Sequence, residues 1–301
     1  MRPLYLAGAT GGGKSSVAVA LAEHTRGEIV NADAYQLYRG IEILSAAPSE
    51  ADRNRVPHHL YGALDLTSEC NAARYAELAE PCIAQVTKRG VLPIVVGGSG
   101  LYLKSLTHGL ADLPAADPAL RLRLDTLSDE ELVSKLQELD PVGAEQTNLL
   151  NRRYVSRAVE ICLLSGRPMS EVKAAWRDNE PEFDGVLIER PREELYARIN
   201  ARVPKMLAAG LIDEVAALPP KLSNTASKAI AIREVRAHLA DELTLDECVA
   251  AIQQASRRYA KRQLTWLRRE TGFQKVCLSE SESAESAARR IRALFTHLPH
   301  A

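Results

Sequence analysis

The residues with the clearest chemical capacity lie near the N-terminus, where Gly8-Ala9-Thr10-Gly11-Gly12-Gly13-Lys14-Ser15 fits the pattern G-x-x-x-x-G-K-[ST]. A short apolar run, Leu4-Tyr5-Leu6-Ala7, precedes it, and a helical pattern from Ser15 to about Glu23 follows. Strand, loop and helix in that order are the setting the pattern requires. Glycines let backbone N–H groups turn inward around phosphate oxygens, and the helix N-terminus adds partial positive charge. Lys14 is expected to neutralise a terminal phosphate, and the Ser15 hydroxyl to bind Mg²⁺. The loop therefore reads as a phosphate cradle, silent about which phosphate compound it takes. Nucleotide-hydrolysing and kinase sites commonly hold Mg²⁺ with an Asp at the end of a later strand. Here Ile94-Val95-Val96 runs instead into Gly97-Gly98-Ser99-Gly100, which leaves room for another use of the bound phosphate.

A second group is Asp33, just past a short apolar strand, Glu28-Ile29-Val30. Strand carboxyl ends are where α/β sheets bind ligands, so Asp33 opens on the same side as the phosphate loop. Taken alone, it reads first as a turn residue or helix cap. A third is the run from Arg257 to Arg269, with six cations interleaved with Tyr259 and Trp266. Residues 258, 262 and 269 share one helical face. Such a run suits an RNA surface and a merely solvated helix equally well. Arg152, Arg153 and Arg157 form a second basic cluster, whereas His58 and His59 lack a metal-ligand partner at suitable spacing and read as structural.

The elements that must position these groups alternate. Val91 to Val96 reads as a further buried strand, with a helical stretch near residues 72–89 before it. Continuous apolar strands between helices imply a parallel sheet covered on both faces. From about Pro114 the pattern changes, and residues 117–175 show helical periodicity without a convincing strand. A strand returns at Gly185 to Glu189, followed by an amphipathic helix, Arg192 to Ala209, that contains Pro204. The expected fold class is α/β, a parallel-sheet core at 1–115 and 180–301 with an all-helical insertion domain at 116–179.

Composition sets limits. The 301 residues carry a net charge of −1, with 46% hydrophobic and 26% charged residues, as in an ordinary globular protein. Nucleic-acid contact must then rely on a local basic surface. No apolar run is long enough to span a bilayer, and the N-terminus lacks a secretory signal. The five cysteines have no C-x-x-C pair, which argues against a zinc site and a disulfide framework. A cytoplasmic protein is expected.

Several motifs occur in order: Asn31-Ala32-Asp33-Ala34-Tyr35-Gln36-Leu37-Tyr38-Arg39-Gly40, Pro57-His58-His59-Leu60, and Val96-Gly97-Gly98-Ser99-Gly100-Leu101-Tyr102. Arg157-Ala158-Val159-Glu160, Met206 to Val215, and Tyr259 to Arg268 follow. From the phosphate loop to about Arg269, this series resembles the tRNA dimethylallyltransferase (tRNA isopentenyltransferase) family. The resemblance implies a P-loop NTPase-like core, a helical tRNA-binding insert over 116–179 and a channel between them. It implies transfer of a dimethylallyl group from dimethylallyl diphosphate to the N6 amine of the adenosine immediately 3′ of the anticodon. Mg²⁺ is the implied cofactor, the tRNA anticodon stem-loop the implied partner, and a monomer the implied state. Asp33 would act as general base, with Ser99 and Arg202 as further catalytic residues. Gly8, Thr10, Gly11, Gly12, Gly13, Lys14 and Ser15 would hold diphosphate, with Ser15 on the metal. Asp33, Gln36, Arg153, Arg157, Arg258, Lys261, Arg262 and Trp266 would meet tRNA.

The chain departs from the family pattern in places. Ala34 replaces a serine, Ser99 a threonine, Ala47 a lysine and Asn151 an aspartate, and Ala231-Ile232 stands where glycine and tyrosine are usual. These departures bear on tRNA affinity and substrate preference. A small-molecule kinase, an adenylate dimethylallyltransferase and a non-catalytic nucleotide-dependent RNA-binding module are the competing readings.

Overall fold

The computed structural model describes residues 1–110, 113–177 and 182–299. Its contacts divide the chain into two units, Met1–Thr107 with Glu182–Ala301, and His108–Pro181.

The first unit is built on a six-stranded, all-parallel sheet in the order β3-β2-β4-β1-β5-β6. Its strands are β1 (Leu4–Gly8), β2 (Glu28–Asn31), β3 (His58–His59), β4 (Pro93–Gly97), β5 (Asp184–Glu189) and β6 (Phe273–Cys277). Helices α1 (Lys14–Thr25), α2 (Glu42–Ser45), α3 (Glu50–Arg55), α4 (Ala72–Lys88) and α5 (Gly100–Thr107) belong to the N-terminal part of this unit. The second unit contributes α6 (Pro118–Asp125), α7 (Asp129–Leu139), α8 (Pro141–Gln146), α9 (Arg152–Ser165) and α10 (Met169–Arg177). The first unit resumes with α11 (Arg192–Ala208), α12 (Leu211–Ala216), α13 (Ile232–Leu239), α14 (Leu245–Leu267) and α15 (Ala284–Leu294).

Residue alternation along the strands sorts the core into two layers. Leu4, Leu6, Ile29, Ile94, Val96, Val186 and Ile188 point one way, packing with apolar residues of α1 and α15. Tyr5, Ala7, Val30, Ala32, Val95 and Leu187 point the other way, toward α4, α5 and α11 to α14. That double coverage explains why β1 and β4 are buried along their whole length. The expected parallel sheet is therefore present, with two strands that periodicity did not reveal. Strand β3 has only two residues, and β6 reads Phe-Gln-Lys-Val-Cys with most of its side chains outside the core.

Helix α11 continues past Pro204, which cannot donate to the carbonyl four residues earlier. That carbonyl, of Asn200, instead accepts a bond from the Gln253 side-chain amide at 3.1 Å, and Arg257 binds the Asn200 side chain at 2.5 Å. Both partners lie on α14, so the proline's missing bond is made good by the neighbouring helix.

The second unit is all-helical among its described residues, and the expected insert at 116–179 falls within its span. The expected boundary at 179–180 lies outside the described residues. Its small core joins Leu124, Leu132, Leu136, Val155, Val159 and Ile161. Ser128 and Glu131 form a capping box at the start of α7, and Asp117 caps α6 ahead of Pro118. No helix among the described residues is long and apolar enough to cross a membrane.

Ala231, buried at the start of α13, has φ 84° and ψ −21°, a left-handed conformation that strains any residue with a Cβ. The position is one where the resembling family carries glycine. We predict that Ala231→Gly raises the unfolding free energy by about 0.5–1 kcal/mol, the relief of strain outweighing the added chain entropy of glycine. Denaturant titration measures it, and a destabilised variant would contradict the strain argument.

Candidate active site

The phosphate loop joins β1 to α1. Gly11 and Gly13 adopt φ of 77° and 96°, and a Cβ at Gly11 would sit 2.9 Å from Ile199 of α11, so both need glycine. The loop carbonyls are turned outward and held. Gly11 O accepts from Arg198 Nε at 3.0 Å, and Gly12 O from Arg190 Nε at 3.0 Å. The N-terminus of α1 has no side-chain cap, which leaves its first amides available to an oxyanion. Lys14 Nζ donates to Ala9 O at 2.9 Å, and Ser15 is exposed on the first turn.

Across the loop, Arg202 of α11 is half-buried and donates to the Thr10 hydroxyl at 3.2 Å. Burial lowers its pKa, an effect that Asp33 opposes. Burial also pulls the Lys14 ammonium down to about 8, with Asp33 drawing it back up and Arg202 pressing it lower. Two cations and one carboxylate thus share one site.

Asp33 owes its position to Asn31, a fully buried residue at the end of β2. Asn31 Oδ1 accepts from Asp33 N at 2.8 Å, while its Nδ2 donates to Asp33 O at 3.1 Å and Leu60 O at 3.0 Å. The peptide after Asp33 is held by Ser99, whose Oγ accepts from Ala34 N at 2.9 Å. Asp33 Oδ1 accepts from Tyr35 N at 3.0 Å, which leaves Oδ2 toward the cleft chemistry. Three phenols surround the acid and stay neutral. Burial and then Asp33 push Tyr35 up to about 12, and raise Tyr61 and Tyr259 for the same reasons in the same order.

These groups line one cleft of about 500 Å³ that includes Thr10, Lys14, Ser15, Asp33, Arg198 and Arg202. A recess of about 50 Å³ adjoins it through shared Thr10, Asp33, Ser45 and Arg202. Apolar Leu44, Ile199, Val203, Met206, Ile230 and Ile252 line that recess. The structure can therefore bind a polyanion, hold an apolar group beside it, and present a carboxylate to an incoming proton donor.

The other expected residues divide. Gln36 lines the cleft, but its Nε2 donates to Ser45 O at 3.1 Å and Ala46 O at 2.8 Å, leaving Oε1 as its open polar atom. Arg258, Lys261 and Arg262 are exposed along α14, and Arg153 is exposed on α9. Arg157, expected at RNA, is also engaged within its own unit. It donates to Glu160 at 2.6 Å and to Pro114 O at 2.9 Å. Glu160, 1% exposed, also binds Arg121 and the Asp117 amide. Burial raises the Glu160 carboxyl, but the bonds from Arg121 and Arg157 outweigh it and hold the pKa low. Trp266 packs against Gly100, where a Cβ would collide with its ring, and Lys104 lies 5.9 Å from the ring centroid. An Arg or Trp read along a helix shows its chemistry but not which protein neighbours it also meets. Sequence reading missed Asn31, Arg190, Arg198 and Gln263. Only for Asn31 was there a signal, an Asn two residues before an Asp at a strand end.

A parallel sheet with a phosphate loop and an acid at one cleft defines a P-loop α/β enzyme that handles phosphorylated substrates. Comparison with known proteins narrows this. The sequence profile of the IPP transferase family matches residues 36–270, and that of isopentenyl transferase matches residues 1–59. The tRNA dimethylallyltransferase of Akkermansia muciniphila is 44% identical, the match covering 98% of this chain and 99% of that protein. That of Anaeromyxobacter dehalogenans is 40% identical, covering 97% of each. The full-length tRNA isopentenylpyrophosphate transferase of Bacillus halodurans, a solved structure, superposes with a TM-score of 0.72 at 30% identity, covering 99% of this chain and 96% of that one. The chain belongs to the IPP transferase family, and its core is P-loop NTPase-like.

Because burial pulls the Lys14 ammonium down to about 8, its charge is present below that pH and lost above it. We predict that affinity for inorganic diphosphate falls as pH rises from about 8 to about 10. Lys14→Arg, which stays charged, should lose this limb. Calorimetric titration checks it, and a wild-type affinity flat across that range would refute the assignment of Lys14 as a cradle cation.

Proposed function

We propose that the chain transfers the dimethylallyl group of dimethylallyl diphosphate to the exocyclic N6 amine of the adenosine immediately 3′ of the anticodon in tRNA, releasing diphosphate. The observation that carries this reading is the placement of Asp33 in the same cleft as Lys14 and Arg202. A cradle for the leaving group and an acceptor for the amine's proton are the two things the reaction requires.

In the reaction the allylic C–O bond breaks, its electron pair leaving with the diphosphate oxygen, and a C–N bond forms to the adenine amine. Charge grows on the departing oxygens, where fixed donors act most strongly. The loop amides, Lys14 and Arg202 are those donors. The amine is a weak nucleophile because its lone pair is delocalised into the ring, so its proton must leave as the bond forms. Asp33 Oδ2 takes it. The apolar side of the recess beside Arg202, lined by Ile199, Val203, Met206 and Ile252, suits the five-carbon group.

Mg²⁺ fits this site. Among the described residues no cluster of three His, Cys, Asp or Glu could hold a metal, but Mg²⁺ commonly binds through few protein oxygens and mostly through substrate phosphates and water. Exposed Ser15 in the cleft is the residue that would hold it. When bound it neutralises charge on the diphosphate oxygens.

The target adenosine must swing out of the anticodon loop to meet a part-buried acid. Arg258, Lys261 and Arg262 of the first unit are assigned to the RNA backbone, as is Arg153 of the helical unit. Arg157 and Trp266, both part-exposed, are assigned to tRNA as well, beside their contacts with Glu160 and Gly100.

With Mg²⁺, labelled dimethylallyl diphosphate and unmodified tRNA or AMP, nucleoside mass spectrometry should find prenylated adenosine in tRNA and none in AMP. Asp33→Ala should lower the rate by about 10²–10⁴-fold, the range for loss of a general base. ATP turnover without transfer would indicate a kinase instead. Replacing Arg258 or Lys261 by Gln should weaken tRNA binding across sequences and reduce the salt slope by about one, measured by filter binding across ionic strengths.

A further inference from the structure

Gln263 of α14 is 6% exposed, and its amide bridges two separate loops. Its Oε1 accepts from the backbone N–H of Thr10 at 2.9 Å, inside the phosphate loop. Its Nε2 donates to the carbonyl of Gly98 at 3.0 Å, in the turn after β4. A Cβ at Gly98 would collide with Nε2, so the turn's backbone closes directly on this side chain. Each loop carries one half of the site. Thr10 receives Arg202 through its hydroxyl, and Gly98 precedes Ser99, which holds the Ala34 amide beside Asp33.

We propose that Gln263 is a positioning residue that sets the separation between the diphosphate cradle and the Asp33 carboxylate. This rests on the reading of the reaction given above. The amide is suited to the task because it accepts and donates at once. A carboxylate keeps the bond to Thr10 N–H but meets Gly98 O with no proton to give, and an apolar side chain leaves both backbone groups buried without partners. The rate depends on the distance between the carbon bearing the leaving group and the amine aligned on Asp33. A misplacement of about 1 Å can cost a reaction about 100-fold. Neither loop alone needs Gln263 to bind its own ligand, since Lys14 and the amides of α1 remain.

Single-turnover transfer to unmodified tRNA, with inorganic diphosphate binding measured in parallel, tests this on wild type, Gln263→Glu and Gln263→Met. The rate constant should fall about 10- to 100-fold in both variants, while diphosphate affinity stays within about threefold. A role in stability alone would lower the reaction amplitude, through loss of folded enzyme, and leave the rate constant unchanged. An unchanged rate constant in either folded variant overturns the proposal. Hydrogen exchange of the Thr10 amide in wild type provides a second measurement that needs no variant. Slow exchange is expected, and exchange at the rate of an open loop amide overturns the bridge itself. If wild type transfers no prenyl group, the functional reading fails; if it does and the variants match it, only the role of Gln263 fails.

Discussion

The burial of two cations beside one carboxylate is the interaction on which the rest of this site depends. An ammonium removed from water loses much of its preference for being charged, and burial lowers the Lys14 pKa for that reason. Burial lowers Arg202 in the same way, and the Arg202 charge presses Lys14 lower still. Asp33 draws the Lys14 and Arg202 pKa values back up. Two cations against one carboxylate leave the cleft with a surplus of positive charge that suits a polyanion. In prenyl transfer that polyanion becomes more negative at its bridging oxygen as the bond breaks, so the same surplus charge favours the transition state over the ground state.

Such a cluster survives only if its backbone cannot relax, and most of the surrounding bonds serve that end. Arg190 and Arg198 take the outward carbonyls of the phosphate loop. Asn31 uses three bonds to shape the turn bearing Asp33, and Tyr75 holds the Asn31 carbonyl at 2.9 Å. Helix α14 ties these pieces together. It contacts α11 at the Asn200 carbonyl left open by Pro204, and through Gln263 it reaches both the phosphate loop and the turn after β4. The basic run along α14 therefore has two sides. Arg258, Lys261 and Arg262 face solvent, while Gln253, Arg257, Gln263 and Trp266 hold the core unit.

The helical unit follows another logic. Its core is small, and at its centre sits Glu160, a buried carboxylate satisfied by two arginines and a backbone amide. Leaving such a charge without its partners is costly, and Arg121 and Arg157 both pair with it. Arg153 of this unit stands at the surface.

Sequence alone determined what depends on local pattern. The phosphate loop, the helix it opens, the buried strands β1, β2, β4 and β5, and the helical character of residues 117–175 are all written in residue spacing, because backbone sterics and burial act over a few neighbouring residues. The family resemblance likewise pointed to Asp33 and Arg202. Tertiary structure decided what depends on partners far along the chain. Thr10 and Gln263 lie 253 positions apart, and Gly12 and Arg190 lie 178 apart, so no local pattern could pair them. The short β3 and the largely uncovered β6 owe their strand form to pairing with β2 and β5. Arg157 and Trp266 show the same limit from the other side: residue type announces a capacity to bind, and only packing determines which atom receives the bond.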